Sequence, residues 1–198
     1  IACNTASVQA LEAVRARYEP DIPVIGTVPA VKMAAGTGQD FAIWATPATT
    51  GSEYQQNLID SFAADLHVAK VACPGLAEAI NAADLTKIDT AIEDAFTQMG
   101  PGMETVVLGC THYGLVADRI MAARAGALTV FDSPMPVAKQ TLRRIGLEPA
   151  GVGEDQTGSG RVLATFASGR RVSLPQALAA YPAGKRMLAR EARESREA

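Results

Sequence analysis

Thr105-Val106-Val107-Leu108-Gly109-Cys110-Thr111-His112 is the stretch whose reading decides the fold. Thr105 to Leu108 form a β-branched, largely apolar run of the length of a buried strand, and Leu115, Val116 and Ile120 then recur at helical spacing. A strand feeding directly into a helix is the repeating unit of a parallel α/β sheet. The turn between them carries Cys110, next to a helix N-terminus where free backbone N–H groups and the helix dipole favour an anion. The start of the chain echoes this turn. Cys3-Asn4-Thr5 leads into a predicted helix over 6–17, with Val8, Leu11 and Val14 on one face. Two similar thiol turns suit a reaction with mirror-related halves. One base removes a proton from one face of a carbon, and the other acid returns a proton to the opposite face.

Working outward, Pro23-Val24-Ile25-Gly26 reads as a short strand or linker, and Phe41 to Ala45 as a strand ending in Thr46-Pro47-Ala48-Thr49-Thr50. A helix is expected from about Ser52 to Leu66 with Leu58, Ile59 and Phe62 inward, then a strand from Val68 to Cys73, with Pro74 opening the next helix. Leu85, Ile88, Ile92 and Phe96 mark a further helix before Gly100-Pro101-Gly102 breaks the chain. Leu128 to Phe131 reads as a strand and 136–146 as a helix. A glycine-rich polar loop follows from Gly151 to Gly160, then a strand from Arg161 to Phe166 paired with Arg171 to Leu174, and a charged tail from Lys185. The alternation predicts an α/β fold with mainly parallel sheet.

The bulk numbers narrow the function. The 198 residues are 48% hydrophobic and 20% charged, an ordinary globular balance. A net charge of −3 leaves no electrostatic footprint for nucleic acid. No apolar run reaches the roughly 18 residues that span a bilayer. Three widely spaced cysteines make no disulfide framework, and a reducing cytoplasm is the expected compartment. Only Ile1 and Ala2 precede Cys3, so the strand expected before that thiol is cut short, and the chain reads as N-terminally truncated.

Other residues carry weaker signals. With two histidines, one of them (His67) in an apolar stretch, the ligand inventory is too thin for a zinc site. Cys73 reads as a packed thiol at a strand end. Thr49, Thr50 and Ser52 can hold a carboxylate or cap a helix, and both readings stay open. His112 can act as a general acid/base or tune Cys110, its reference pKa being about 6.5, or it is an ordinary first-turn residue. Lys185, Arg186 and Arg190 alternate with Glu191 and Glu194 as a solvated face does.

Ala2-Cys3-Asn4-Thr5-Ala6 and Leu108-Gly109-Cys110-Thr111-His112-Tyr113 resemble the two signature motifs of the glutamate racemases, members of the cofactor-independent aspartate/glutamate racemase superfamily. Pro23-Val24-Ile25-Gly26, Ala45-Thr46 with Thr49 and Tyr54, Cys73-Pro74, and Asp132-Ser133 with Val137-Ala138 resemble intervening family features in order and spacing, over about residues 1–170. The resemblance implies two pseudo-symmetric α/β domains, 1–24 with 136–198 and 25–135, and an active site in the cleft between them. It implies that Cys3 and Cys110 are the two catalytic acid/bases, assisted by His112, and that Asn4, Thr5, Thr49 and Thr111 hold the substrate. No cofactor or metal is implied. The substrate would be glutamate, the product D-glutamate for peptidoglycan in the bacterial cytoplasm, and the assembly a homodimer. Neither nucleic acid nor membrane is an expected partner. The alternatives are an aspartate or hydantoin racemase, or a non-catalytic remnant that binds ligand. The chain departs from the family pattern at three places: the absent upstream strand and Asp-Ser-Gly loop, Asn81 where glutamate is usual, and Gly114 where proline is usual.

Overall fold

Phe41–Ala45 (β1) is buried at every residue, as a strand covered on both faces must be. The computed structural model describes residues 1–148 and 162–197. In it β1 pairs in parallel with Val68–Ala72 (β2) on one side and Thr105–Leu108 (β3) on the other. Thr129–Phe131 (β4) joins β3, giving an all-parallel sheet of order β2-β1-β3-β4. Register aligns Ala45 with Ala72 and Trp44 with Leu108. The Thr46 loop, Cys73 and Gly109-Cys110 therefore leave the sheet along the same carboxyl edge, where open parallel sheets bind ligands. Two backbone bonds tie these exits to β1: Cys73 N–H to the Ala45 carbonyl at 2.9 Å and Gly109 N–H to the Trp44 carbonyl at 2.7 Å.

Helices follow the strands as the sequence dictates. Asn4–Tyr18 (α1) starts the chain, and Val31–Ala35 (α2) packs Val31 and Ala34 against Phe41, Ile43 and Val107. The short Pro47–Thr50 (α3) leads to Glu53–Phe62 (α4), whose N-cap Ser52 accepts the Gln55 N–H at 3.2 Å. Leu76–Ala82 (α5) precedes Leu85–Thr97 (α6), capped by Asp84 accepting the Lys87 N–H at 3.1 Å. A 3₁₀ turn over Tyr113–Val116 and Ala117–Ala122 (α7) follow β3, and Pro134–Arg144 (α8) follows β4. Phe96 of α6 meets Trp44 of β1 edge-on, with centroids 4.8 Å apart.

The described residues form two compact units. The first comprises 1–80 and the described part of 84–149. The second comprises 81–83 and the described part of 150–198. It holds the antiparallel pair Thr165–Ala167 (β5) and Arg170–Val172 (β6), a 3₁₀ turn over Gln176–Ala180, and Pro182–Glu197 (α9). There the Glu191 carboxylate accepts the Leu174 N–H at 2.9 Å. Gly184 lets α9 meet the 3₁₀ turn, since a Cβ at that position would stand 2.1 Å from the Leu178 carbonyl oxygen.

Several expectations need correction. Val8, expected on the buried face of α1, is 41% exposed, and that helix buries Asn4 and Ser7 instead. Phe62 is 43% exposed, with the Lys32 ammonium 5.7 Å over its ring. α4 stops at Phe62 rather than near Leu66, because Ala63 leaves the helical region at φ −142°. Pro74 does not open α5: Gly75 takes φ +76°, a turn conformation, and the helix begins at Leu76. The single helix expected after Cys110 is split, since Val116 sits at φ −119°, ψ 16° between the 3₁₀ turn and α7. The glycine-rich loop Gly151 to Gly160, and Arg161, lie outside the described residues.

Candidate active site

Cys3 is the N-cap of α1, and its Sγ accepts the Ala6 N–H at 3.5 Å. The thiol is exposed and faces the first turn of a fifteen-residue helix. Ahead of it, Ile1 pairs with the segment from Ile25 to Thr27. The Ile1 ammonium donates to the Ile25 carbonyl at 2.6 Å, and the Thr27 N–H donates to the Ile1 carbonyl at 3.1 Å, the alternation of a parallel strand pair. Buried Ser7 and Thr27 reinforce it. The Thr27 hydroxyl donates to the Ile1 carbonyl at 2.8 Å, and Ser7 Oγ accepts the Thr27 N–H at 2.9 Å.

The structure brings this turn to the Cys110 turn. The Asn4 side-chain N–H donates to the Gly109 carbonyl at 2.6 Å, and the Thr111 hydroxyl donates to the Ala2 carbonyl at 3.0 Å. Asn4 is buried, and its Oδ1 has no hydrogen-bond partner among the described residues. Alongside lies a chain of hydroxyls. Thr46 Oγ1 donates to Thr49 Oγ1 at 3.2 Å, and Thr49 Oγ1 lies 3.2 Å from Thr5 Oγ1. Of the two roles weighed for this loop, the helix cap falls to Ser52, which caps α4, while Thr49, itself buried, faces Thr5.

Cys110 is half-buried, and its Sγ lies 3.8 Å from His112 Nδ1. Burial pushes its thiol above the ordinary range. The backbone N–H groups of His112 and Tyr113 pull the other way, and negative charge at Cys3 and Glu78 adds to the rise. The first-turn amides thus favour the thiolate here as the sequence suggests, and desolvation outweighs them. Cys73 is buried, and its thiol is pushed up to about 12, first by burial and then by charge at Cys110. Tyr113, fully buried beneath the site, donates its hydroxyl to the Cys73 carbonyl at 3.3 Å and is raised by burial as well. Among the described residues no three His, Cys, Asp or Glu side chains gather as a metal-holding group, and no helix is long and apolar enough to cross a membrane.

The seven residues that the resemblance assigns to the site lie around these two turns and the threonine loop. Sequence reasoning missed Thr46 as a hydroxyl partner, along with Ser7, Thr27 and Tyr113. The threonine cluster was a signal for the first; the others act on backbone groups that no side-chain pattern displays.

Residues 1–147 match the family described as Asp/Glu/Hydantoin racemase. The chain is 37% identical over 145 residues to a glutamate racemase of Roseiflexus sp. (strain RS-1), covering 71% of this chain and 53% of that protein. It is 36% identical over 153 residues to a glutamate racemase of Pseudomonas entomophila (strain L48), covering 74% and 57%. Its fold is similar to that of Escherichia coli glutamate racemase, solved in complex with L-glutamate and the activator UDP-MurNAc-ala, at a TM-score of 0.65 and 28% identity over 76% of this chain and 59% of that one. The chain thus spans little more than half the length of these relatives.

Proposed function

The chain belongs to the Asp/Glu/Hydantoin racemase family, and from that premise we propose that it carries the two-cysteine centre of a glutamate racemase, an isomerase that interconverts L- and D-glutamate. The observation that carries this reading is the pair of thiol turns, Cys3 capping α1 and Cys110 closing β3, tied to one another through Asn4 and Thr111.

The chemistry sets the demands. The α-proton of an amino acid is a very weak acid, so charge developing at Cα must be met by fixed donors in a site that excludes water. One cysteine removes the proton as thiolate while the other, as thiol, returns one to the opposite face. The bond to the first proton breaks, the bond to the second forms, and the protonation states of the pair exchange. A thiol's reference pKa of about 8.5 keeps both forms within reach, and burial biases Cys110 toward its thiol form. In this reading the hydroxyl pair of Thr5 and Thr49 donates to a substrate carboxylate. Asn4 and Thr111 face the substrate beside Cys3 and Cys110, and His112 assists Cys110. The cysteines need no cofactor for this exchange.

We extend the proposal to the whole protein. Residues 1–24 with 136–198 and residues 25–135 are its two pseudo-symmetric domains, it works in the cytoplasm as a homodimer, and its D-glutamate supplies peptidoglycan. The deciding experiment is α-proton exchange in D2O, followed by NMR with L-glutamate, D-glutamate and L-aspartate. It uses the protein carrying the upstream strand and Asp-Ser-Gly loop that the resemblance implies. Exchange with both glutamates and little with aspartate is expected. Faster exchange with aspartate would transfer the reading to an aspartate racemase, and no exchange from folded protein would leave a ligand-binding remnant.

A further inference from the structure

The residue after each cysteine donates a hydrogen bond to the carbonyl of the residue before the other cysteine. Asn4, after Cys3, donates to Gly109, before Cys110, at 2.6 Å. Thr111, after Cys110, donates to Ala2, before Cys3, at 3.0 Å. The two bonds join segments more than a hundred residues apart in sequence, and they are related to each other by exchange of the two turns. We infer that Asn4 and Thr111 form a reciprocal clasp that sets the span between the two thiols before any ligand arrives, so that both are positioning residues for the two-base reaction. The inference rests on the two-cysteine reading above.

Two physical points support it. A two-base exchange fails if either sulfur stands too far from Cα, and misplacement by about an ångström is enough to cost about a hundredfold in rate. The span between groups on separate turns is held only if something fixes one turn to the other, and these bonds do so at the two residues flanking each sulfur. The clasp also decides what the two side chains still offer. Thr111 has one hydroxyl proton, and it is committed to Ala2. Asn4 has committed one amide N–H to Gly109, and its buried Oδ1 is left unpartnered. Thr111 therefore presents lone pairs, and Asn4 presents those of Oδ1 beside its second amide N–H, so the acceptors of both match a substrate ammonium group. The Thr5 and Thr49 hydroxyls share one bond between them at 3.2 Å, so one proton of the pair is left to donate to a carboxylate.

The test reads the span directly. In protein carrying Cys73→Ala, leaving Cys3 and Cys110 as its thiols among residues 1–198, a series of bis-methanethiosulfonates of increasing spacer length bridges the two sulfurs, and mass spectrometry gives the yield at each length. Unaltered turns are expected to select a narrow range of spacers. Thr111→Val, of nearly equal volume but without the donor, and Asn4→Ala are expected to flatten that selectivity by roughly tenfold. Thr111→Ser restores it, and kcat for racemisation follows the same order. If Asn4→Ala fails to fold, Thr111→Val with its serine rescue decides alone. A length profile in Thr111→Val identical to that of the parent overturns the clasp and leaves Thr111 a ligand contact only. Selective bridging without racemisation sinks the racemase reading and leaves the clasp standing.

Discussion

Cys110 and Cys3 are chemically alike but differently housed, and the difference is measurable residue by residue. Cys110 is half-buried, and burial holds its thiol above the ordinary range. Because thiolate is the species that alkylates, the rate of Cys110 modification by iodoacetamide should rise with pH and reach its half-maximum above the ordinary value of about 8.5. Glu78→Gln should move that midpoint down, since it removes a negative charge that opposes the thiolate. A midpoint unmoved by this change would show that Glu78 does not act on Cys110. In racemisation assays Cys3→Ala and Cys110→Ala should each lose turnover in both directions, by at least about a thousandfold for loss of an acid/base partner. Cys73→Ala should stay near the parent rate. A loss at Cys73 as severe as at Cys110 would give that buried thiol a role in the chemistry.

At the scale of elements, the join of β1 to β3 governs where Cys110 stands. Gly109 passes so close to β1 that an added Cβ would stand 3.0 Å from both the Trp44 carbonyl oxygen and the Ala45 Cβ. Gly109→Ala must therefore push β3 away from β1, and it is expected to cost about 1–3 kcal/mol of stability, read by urea unfolding, together with a fall in kcat. Ser52→Ala, which removes the α4 cap, should cost about 1 kcal/mol and leave the thiols unaffected. What was legible in the sequence followed from periodicity. β1 and β3 announced themselves as short apolar runs, and α6 showed its repeat at Ile88, Ile92 and Phe96, all buried. α2 left no mark, because five residues without a side-chain cap are too few to show a period. The break at Val116 and the early end of α4 are backbone events decided by packing. The two thiol turns were readable because they recur. The bonds between them were not, since their acceptors are main-chain carbonyls at Ala2 and Gly109, to which any residue type contributes alike.

Across the whole molecule, buried groups with raised pKa values make stability depend on alkaline pH. The Cys73 thiol titrates at about 12 when folded and near 8.5 when unfolded. Between these values the unfolded chain has released a proton that the folded chain retains, so stability falls as pH rises through that window. Tyr54 and Tyr113, also raised by burial, act with the same sign. Urea unfolding between about pH 8.5 and 11 should show a declining free energy, and Cys73→Ala should flatten the decline. An unchanged slope would mean that Cys73 is solvated in the folded state. Trp44 gives a separate handle on the molecule. It is the single tryptophan of the chain, wholly enclosed in β1, edge-on to Phe96, and its carbonyl holds the amide just ahead of Cys110. All indole emission therefore originates from one fluorophore at the foot of the reactive turn. Its wavelength and lifetime register rearrangement of the first unit without any attached dye, while the described residues of the second unit, which include Tyr181 but no tryptophan, contribute no indole emission.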